Sequence, residues 1–494
     1  MLARSMLSKK CATCPAFLSG KCKGSPTKIL ERRLATEAQP ITHRRIDKRE
    51  GDISSAFTTF SGKKAVPLPP RFRELKQLIV NGNEAAIQKS WDNLIEVLKI
   101  IPVAKFSDVK AGTVPDSVRQ AVKDTGVVVV REVMPRSEAE ALHQSVRNYF
   151  AANPSFGGFP ADEDCKIVYE SYWSAAQVRA RSHPNILATQ RYVMGIYESH
   201  SKQRVDLSTP LTYADRVQLR PPGDTKFALS PHVDGGGIER WEDPAYRHTY
   251  RKILRGEWHE YDPWDMAGRL EANMNLYNSG GGCSVFRAFQ GWLGLSEHGP
   301  QQGTLVVHPI LKESTAYWIL RPFFKPTVKG SLEGWKLSLD DEDGNVYFHG
   351  STPGGMQEHK PDIHPHLHLE QTMIPFPTVN PGDTVFWSAD TIHGTERKNM
   401  GMRDASVFYI PSVPLTDSNI QYVAQQRDAF LRGVPPPDFP GGEGESLYVG
   451  RARTTDVLSQ EGKRAMGFGP FSLHKQAGVV RDLRKYANTH LGYI

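Results

Sequence analysis

The stretch Ser230-Pro231-His232-Val233-Asp234-Gly235-Gly236-Gly237 decides how the rest of the chain is read. On a strand, residues i and i+2 point to the same side. His232 and Asp234 can therefore both reach one ion. An imidazole plus a carboxylate is two thirds of the 2-His-1-carboxylate set that holds non-haem Fe(II) with positions left open. H-x-D alone recurs in many proteins, so its weight depends on a third ligand. Downstream, Pro381-Gly382-Asp383 reads as a turn, Thr384 to Trp387 as a strand, and Ala389-Asp390-Thr391-Ile392-His393-Gly394 follows. That places a histidine just past a strand end. His232, Asp234 and His393 are the candidate metal ligands and catalytic centre.

Ten residues beyond His393 comes Arg403-Asp404-Ala405-Ser406, leading into a strand that ends at Tyr409. A guanidinium beside a hydroxyl suits a carboxylate, which a guanidinium binds as a bidentate fork. Upstream, Arg216-Val217-Gln218-Leu219-Arg220 alternates strictly. Arg216, Gln218 and Arg220 would share one face, either turned inward near a co-substrate or solvated on an edge strand. Tyr213 precedes them, and Trp292 and Trp387 read as core or lining aromatics. Leu305-Val306-Val307, Val385-Phe386-Trp387 and Ser406-Val407-Phe408-Tyr409-Ile410 are further short strands. Many short strands between Gly/Pro turns imply a sandwich or barrel over about 205–415.

Helical periodicity brackets this region. Phe72, Leu75, Leu78 and Ile79 recur at helix spacing, as do Ile87, Trp91, Leu94, Ile95 and Leu98. Thr125-Gly126-Val127-Val128-Val129-Val130 is a buried-strand pattern. The helix opened by Pro135, Ser137 and Glu138 shows an apolar face of Ala141, Leu142, Val146 and Phe150. Beyond 416 the chain returns to helix, with a candidate from about Asn419 to Arg432, then the loop Pro435-Pro436-Pro437 to Gly441-Gly442. The fold class is α+β: a β-barrel flanked by N- and C-terminal helices, forming one catalytic domain over 67–494.

Residues 1–66 read as a tail. Residues 1–50 carry 12 Lys/Arg against 4 Asp/Glu, a net of +8, so the other 444 residues bring the total to +7 by summing to −1. The body is near neutral, which argues against a nucleic-acid partner. No apolar run reaches the roughly 18–20 residues that span a bilayer, so no membrane partner is expected. The basic, acid-poor start Met1-Leu2-Ala3-Arg4-Ser5-Met6-Leu7-Ser8-Lys9-Lys10 has the composition of a mitochondrial leader; a basic tail of a cytoplasmic protein is the alternative. Cys11, Cys14 and Cys22 offer three zinc ligands, with His43 the nearest fourth; reduced thiols are the plainer reading. Cys165 and Cys283 are isolated, and five cysteines without a secretory signal make no disulfide framework.

His232-x-Asp234, His393 and Arg403-x-x-Ser406 together resemble the signature of the 2-oxoglutarate/Fe(II) dioxygenases. Gly126 to Arg131 with its following helix, and Leu295 to Pro309, look like segments of the phytanoyl-CoA hydroxylase-like branch. From about 67 to 470 the chain is most similar to the YbiU-like family (domain of unknown function 1479). The resemblance implies a double-stranded β-helix, that is, a jelly-roll or cupin-like barrel. It also implies Fe(II), 2-oxoglutarate as co-substrate, O2 and a small-molecule substrate. Gln218 and Arg216 join Arg403 and Ser406 as candidate co-substrate residues. Retention of Asp234 favours hydroxylation or oxidation over halogenation.

The gap from His232 to His393 is 161 residues, long for this class. The extra chain lies at about 239–272 and 320–370, where it would shape a substrate site, form a lid or simply cover the domain. His364, His366 and His368 alternate and would share a strand face, offering a second metal site, a polar face or a substrate rim. Gly280-Gly281-Gly282 lacks the strand–helix context of a phosphate loop. Two rivals remain: a non-catalytic barrel that binds a metal or metabolite as sensor or scaffold, and a cupin-type metalloenzyme that keeps the triad without needing Arg403.

Overall fold

Short β-branched and aromatic segments pair into two antiparallel sheets in the computed structural model, which describes Phe57 and residues 66–99, 115–163, 166–199 and 202–494. The first sheet runs β1 (Val127–Val130), β13 (Thr384–Trp387), β7 (Gln290–Gly294), β15 (Ala405–Tyr409), β5 (Val217–Arg220), β3 (Val168–Tyr169), β2 (Gly158–Phe159). The second runs β11 (Gln357–Glu358), β6 (His232–Val233), β14 (His393–Thr395), β8 (Leu305–Val307), β12 (Ile374–Pro375). From β5 to β8 successive strands alternate between the sheets, and so do β12 to β15. Two further pairs stand apart: β4 (Val205–Leu211) with β16 (Val413–Thr416), and β9 (Phe324–Pro326) with β10 (Trp335–Leu337).

Strand parity then sorts the side chains. In the first sheet Trp292, Val385, Trp387 and Val407 turn to one side, where they meet Val307 of the second sheet in a common cluster. Their neighbours Leu293 and Phe408 turn the other way, into a cluster with the helix Arg136–Ala152. That helix buries Ala139, Leu142, Val146, Tyr149 and Phe150. Ala141, expected inside, is exposed; the apolar stripe runs through 139, 142, 146 and 150, and 141 lies off it. β5 is interior, hydrogen-bonded to β15 on one side and β3 on the other, so it is not a solvated edge.

The two insertions are mostly structural cover. Trp241, Tyr246, Tyr250 and Ile253 from one, and Phe323, Phe324, Trp335 and Phe348 from the other, share a core with the helices Arg71–Val80 and Glu84–Lys99. Trp91 stacks on Phe324 with centroids 4.1 Å apart and planes at 7°, a contact worth about 0.5–1.5 kcal/mol beyond its area. His364, His366 and His368 do not lie on a strand. Pro365 starts a 3-10 turn over Pro365–Leu367, and His368 adopts left-handed backbone with φ 48°. The three therefore share no face, and His366 is committed to Leu332 O at 2.8 Å.

The C-terminal helix expected from Asn419 starts at Asp417, because Thr416 caps it by accepting from Asn419 N at 3.0 Å. It packs with Gly478–His490 over β4 and β16. All described residues belong to one unit, Asp47–Ile494, and among them no helix is long and apolar enough to cross a membrane. The leader reading and the Cys11, Cys14, Cys22 and His43 cluster fall outside the described residues.

Candidate metal centre

β6 pairs with β14 so that His232 and His393 are direct cross-strand partners. Asp234 follows β6 on the same side as His232. One ligand atom from each of the three lies within 4.8 Å of the others. His393 Nε2 is 3.3 Å from Asp234 Oδ2, and His232 Nε2 is 3.7 Å from Asp234 Oδ1. Each ring is aimed from behind. His232 Nδ1 faces Ser230 O at 2.7 Å and His393 Nδ1 faces Thr391 O at 2.9 Å. A carbonyl oxygen only accepts, so Nδ1 carries the proton and Nε2 presents its lone pair to the centre. Burial, then the neighbouring His393, draws His232 down to about 4 against the pull of Asp234. Burial alone would raise the Asp234 carboxyl, but His393 and His232 hold it well below the ordinary carboxylate range.

The loop after Asp234 needs its glycines. Gly235 and Gly236 both sit at φ 86°, and a Cβ on Gly236 would lie 2.6 Å from Met274 O. Arg240 reaches back to grip the carbonyls of Asp234 and Gly236, and Tyr246 OH donates to Gly235 O at 3.0 Å. The Arg240 guanidinium also faces Asp390 Oδ1 at 3.9 Å, and Tyr250 OH donates to that same oxygen at 2.9 Å, while Arg269 Nη2 meets Asp390 Oδ2 at 2.8 Å. Asp390 lies three residues before His393, so this buried charge cluster joins the two ligand-bearing segments. From β7, Gln290 Nε2 donates to Asp234 Oδ2 at 2.9 Å. The sequence reading missed Arg240, Asp390 and Gln290 as positioning residues; only the parity of Gln290 with Trp292 hinted at an inward amide.

The triad opens into a cavity of about 130 Å3 lined by both sheets. Arg216, Gln218, Trp292, Trp387 and Tyr409 line it, as expected of inward positions. Tyr409 OH donates to Gln218 Oε1 at 2.7 Å. His298, Thr304, Arg287, Cys283 and the glycines 280–282 line it too, and the C-terminal loop contributes Asp438 and Phe439. Thr304 Oγ1 and Trp387 Nε1 are buried there, with no hydrogen-bond partner among the described residues.

The Gig2-like family profile matches residues 66–468. The chain belongs to the Gig2-like family. It is 34% identical over 379 residues to the uncharacterized protein YbiU of Escherichia coli strain K12, spanning 74% of this chain and 85% of that one. The crystal structure of the GlcNAc-inducible gene 2 protein of Candida albicans is similar over 87% of this chain and 96% of its own, with 32% identity and a TM-score of 0.75. A protein of Salmonella typhimurium LT2 is similar over 82% of this chain and 99% of its own, with 29% identity and a TM-score of 0.67.

In this Gig2-like chain Arg403 is not beside the triad. It is exposed and lines a separate surface cleft with Arg136, Arg147 and Asp404. The cause is the turn before β15. Asn399 Nδ2 donates to Arg403 O, Arg220 O and Pro221 O at 3.1–3.2 Å, and its Oδ1 accepts from Gly401 N. The chain turns outward there and regains strand parity only at Ala405. Ser406 is fully buried but has the opposite parity from Val407, and it does not line the cavity. Arg220 shares the inward side of β5, yet its guanidinium is spent on Asp224, Gly303 O and Glu396 O.

Proposed function

We propose that this protein is an Fe(II)- and 2-oxoglutarate-dependent oxygenase that hydroxylates or oxidises a small molecule on a double-stranded β-helix. The observation that carries the reading is the convergence of His232, Asp234 and His393 in the lining of one cavity between two antiparallel sheets. Two imidazole Nε2 atoms and a carboxylate form the donor set that suits non-haem Fe(II). Both Nδ1 atoms are engaged by backbone carbonyls, so the site is built for ligation. The alternation of strands between the sheets supports the β-helix reading.

Bound iron would supply oxidation of the substrate by O2 coupled to decarboxylation of 2-oxoglutarate to succinate and CO2. The chain's own residues do the rest. His232, Asp234 and His393 hold the metal on one side and leave the cavity side open. Gln290 fixes one carboxylate oxygen of Asp234. Gln218, locked by Tyr409, offers an amide to a polar ligand, and Arg216 adds positive charge beside it. Trp292 and Trp387 supply apolar wall that limits water.

Anaerobic protein loaded with Fe(II) is titrated with 2-oxoglutarate while the visible charge-transfer band is followed, and succinate is measured after air is admitted with ascorbate. A band and succinate, both lost in His232→Ala and His393→Ala, are expected. A folded protein that binds the metal but gives no band would point to a cupin-type enzyme. A band with no succinate under any substrate would point to a binding protein.

A further inference from the structure

Two guanidinium groups line the triad's cavity, those of Arg216 and Arg287. Arg216 is neutralised where it stands. Its Nε lies 3.2 Å from Asp215 Oδ1, its Nη1 3.7 Å from Glu170 Oε1, and its guanidinium lies over the Phe439 ring at 5.2 Å. Arg287 differs. Its guanidinium lies 5.7 Å from the centre of the Tyr213 ring, and among the described residues no hydrogen bond or ion pair ends on it. The neighbouring carboxylates are already committed. Asp438 accepts from Tyr213 OH at 3.0 Å, Ser284 N at 2.9 Å and Ser284 Oγ at 2.6 Å. Asp234 and Asp215 both act on Arg287 at a distance, but Asp234 belongs to the triad and to Gln290, and Asp215 is held by Arg216. Once Asp234 is engaged by a metal ion, the Arg287 guanidinium is a cavity donor set with no acceptor in hydrogen-bond contact among the described residues, and a guanidinium withdrawn from bulk water is stabilised by a carboxylate that fills its fork.

We infer that Arg287 receives a carboxylate of the substrate, so that the substrate is a small organic acid whose reacting carbon is held toward His232, Asp234 and His393. The inference rests on the metal-centre reading above. A monoanion fits better than a phosphate. One guanidinium fork pairs with one carboxylate, and a dianion would stand against Asp234, Asp215 and Asp438. Gly280, Gly281 and Gly282 line the same cavity, so that stretch of wall has no side chains to compete for the space. The fork of a guanidinium also fixes the orientation of a planar carboxylate, which a point charge does not.

The test uses the full chain loaded with Mn(II), without O2, under saturating 2-oxoglutarate. Straight-chain carboxylates from propionate to octanoate and their primary amides are titrated by calorimetry. The wild type is expected to prefer carboxylate over amide by about ten- to a hundredfold, the range for a hydrogen bond between charged groups. Arg287→Gln should abolish the preference, and Arg287→Lys should keep part of it, while Mn(II) and 2-oxoglutarate affinities stay within about twofold. No preference in the wild type, no binding of any probe, or a preference that survives in Arg287→Gln would each overturn the inference. Weakened 2-oxoglutarate binding in Arg287→Gln, with the probes unaffected, would assign Arg287 to the co-substrate and overturn it as well. If the wild type binds no Mn(II), the metal-centre reading fails on its own, and the same titration on metal-free protein still reads whether Arg287 selects carboxylates.

Discussion

In Asp390→Asn the charge facing Arg269 and Arg240 disappears while the side-chain shape is kept. The carboxylate and Arg240 are fully buried, and Arg269 is nearly so. Burial would raise the Asp390 carboxyl, yet Arg269 and then Arg240 hold it below its ordinary value. Without it, two guanidinium groups are left in the interior with no counter-charge. Breaking a buried pair in this way costs about 3–5 kcal/mol, a large part of a typical folding stability of about 5–15 kcal/mol. The loss should spread to the metal centre, because Arg240 holds the carbonyls of Asp234 and Gly236 and Asp390 leads directly to His393. Urea unfolding followed by tryptophan fluorescence measures the first effect, and Mn(II) titration measures the second. The double variant Asp390→Asn/Arg240→Met should recover part of the loss, since it removes one stranded cation. Asp456→Asn, which breaks an exposed contact with Arg179 at 3.0 Å, is the control and should change stability by no more than about 1 kcal/mol. An Asp390→Asn protein that unfolds at the control's midpoint would refute the argument that this cluster joins the two ligand segments.

Two further outcomes are expected. Gln290→Leu removes the 2.9 Å bond to Asp234 Oδ2 and should weaken Mn(II) binding by about 10–100-fold, as loss of a partner that orients a metal ligand does; calorimetry that finds unchanged affinity would remove Gln290 from the site. His308 is buried, and that burial lowers it to about 4 from 6.5. Its neutral form is the folded one, so the unfolded chain takes up its proton first as pH falls. Stability from this group is complete above about pH 6.5 and is lost down to about pH 4. Between pH 8 and pH 5 the wild type should lose about 2 kcal/mol more than His308→Gln, read from urea midpoints at the two pH values; parallel pH profiles would contradict this.

The parts of the site legible in the sequence are those fixed by local geometry. His232 and Asp234 are two residues apart, and strand parity alone aims both inward. His393 follows a strand whose start is marked by Pro381-Gly382. Gln218 and Arg216 were placed by the same alternation. Arg403 marks where strand parity stops. Arg403 has the parity of Val407 and Tyr409, but parity holds only within a strand, and β15 begins at Ala405. What ends it is Asn399, whose side chain bonds to carbonyls at 220, 221 and 403, contacts that no local pattern announces. His364, His366 and His368 failed for the opposite reason. The alternation was real, but Pro365 opens a 3-10 turn and the period-2 rule does not apply there.

The residues that would decide substrate choice were the least legible, and the cause is topological. Arg287 and Asp438 come from segments far apart in sequence, and they meet only because both sheets and the C-terminal loop close on one cavity. A metal ligand must satisfy a short-range rule, because three donor atoms must converge on one ion. A recognition residue need only reach the cavity from wherever the chain passes it. The same cavity wall can therefore be rebuilt from different segments while the H-x-D strand and its distal histidine stay in place.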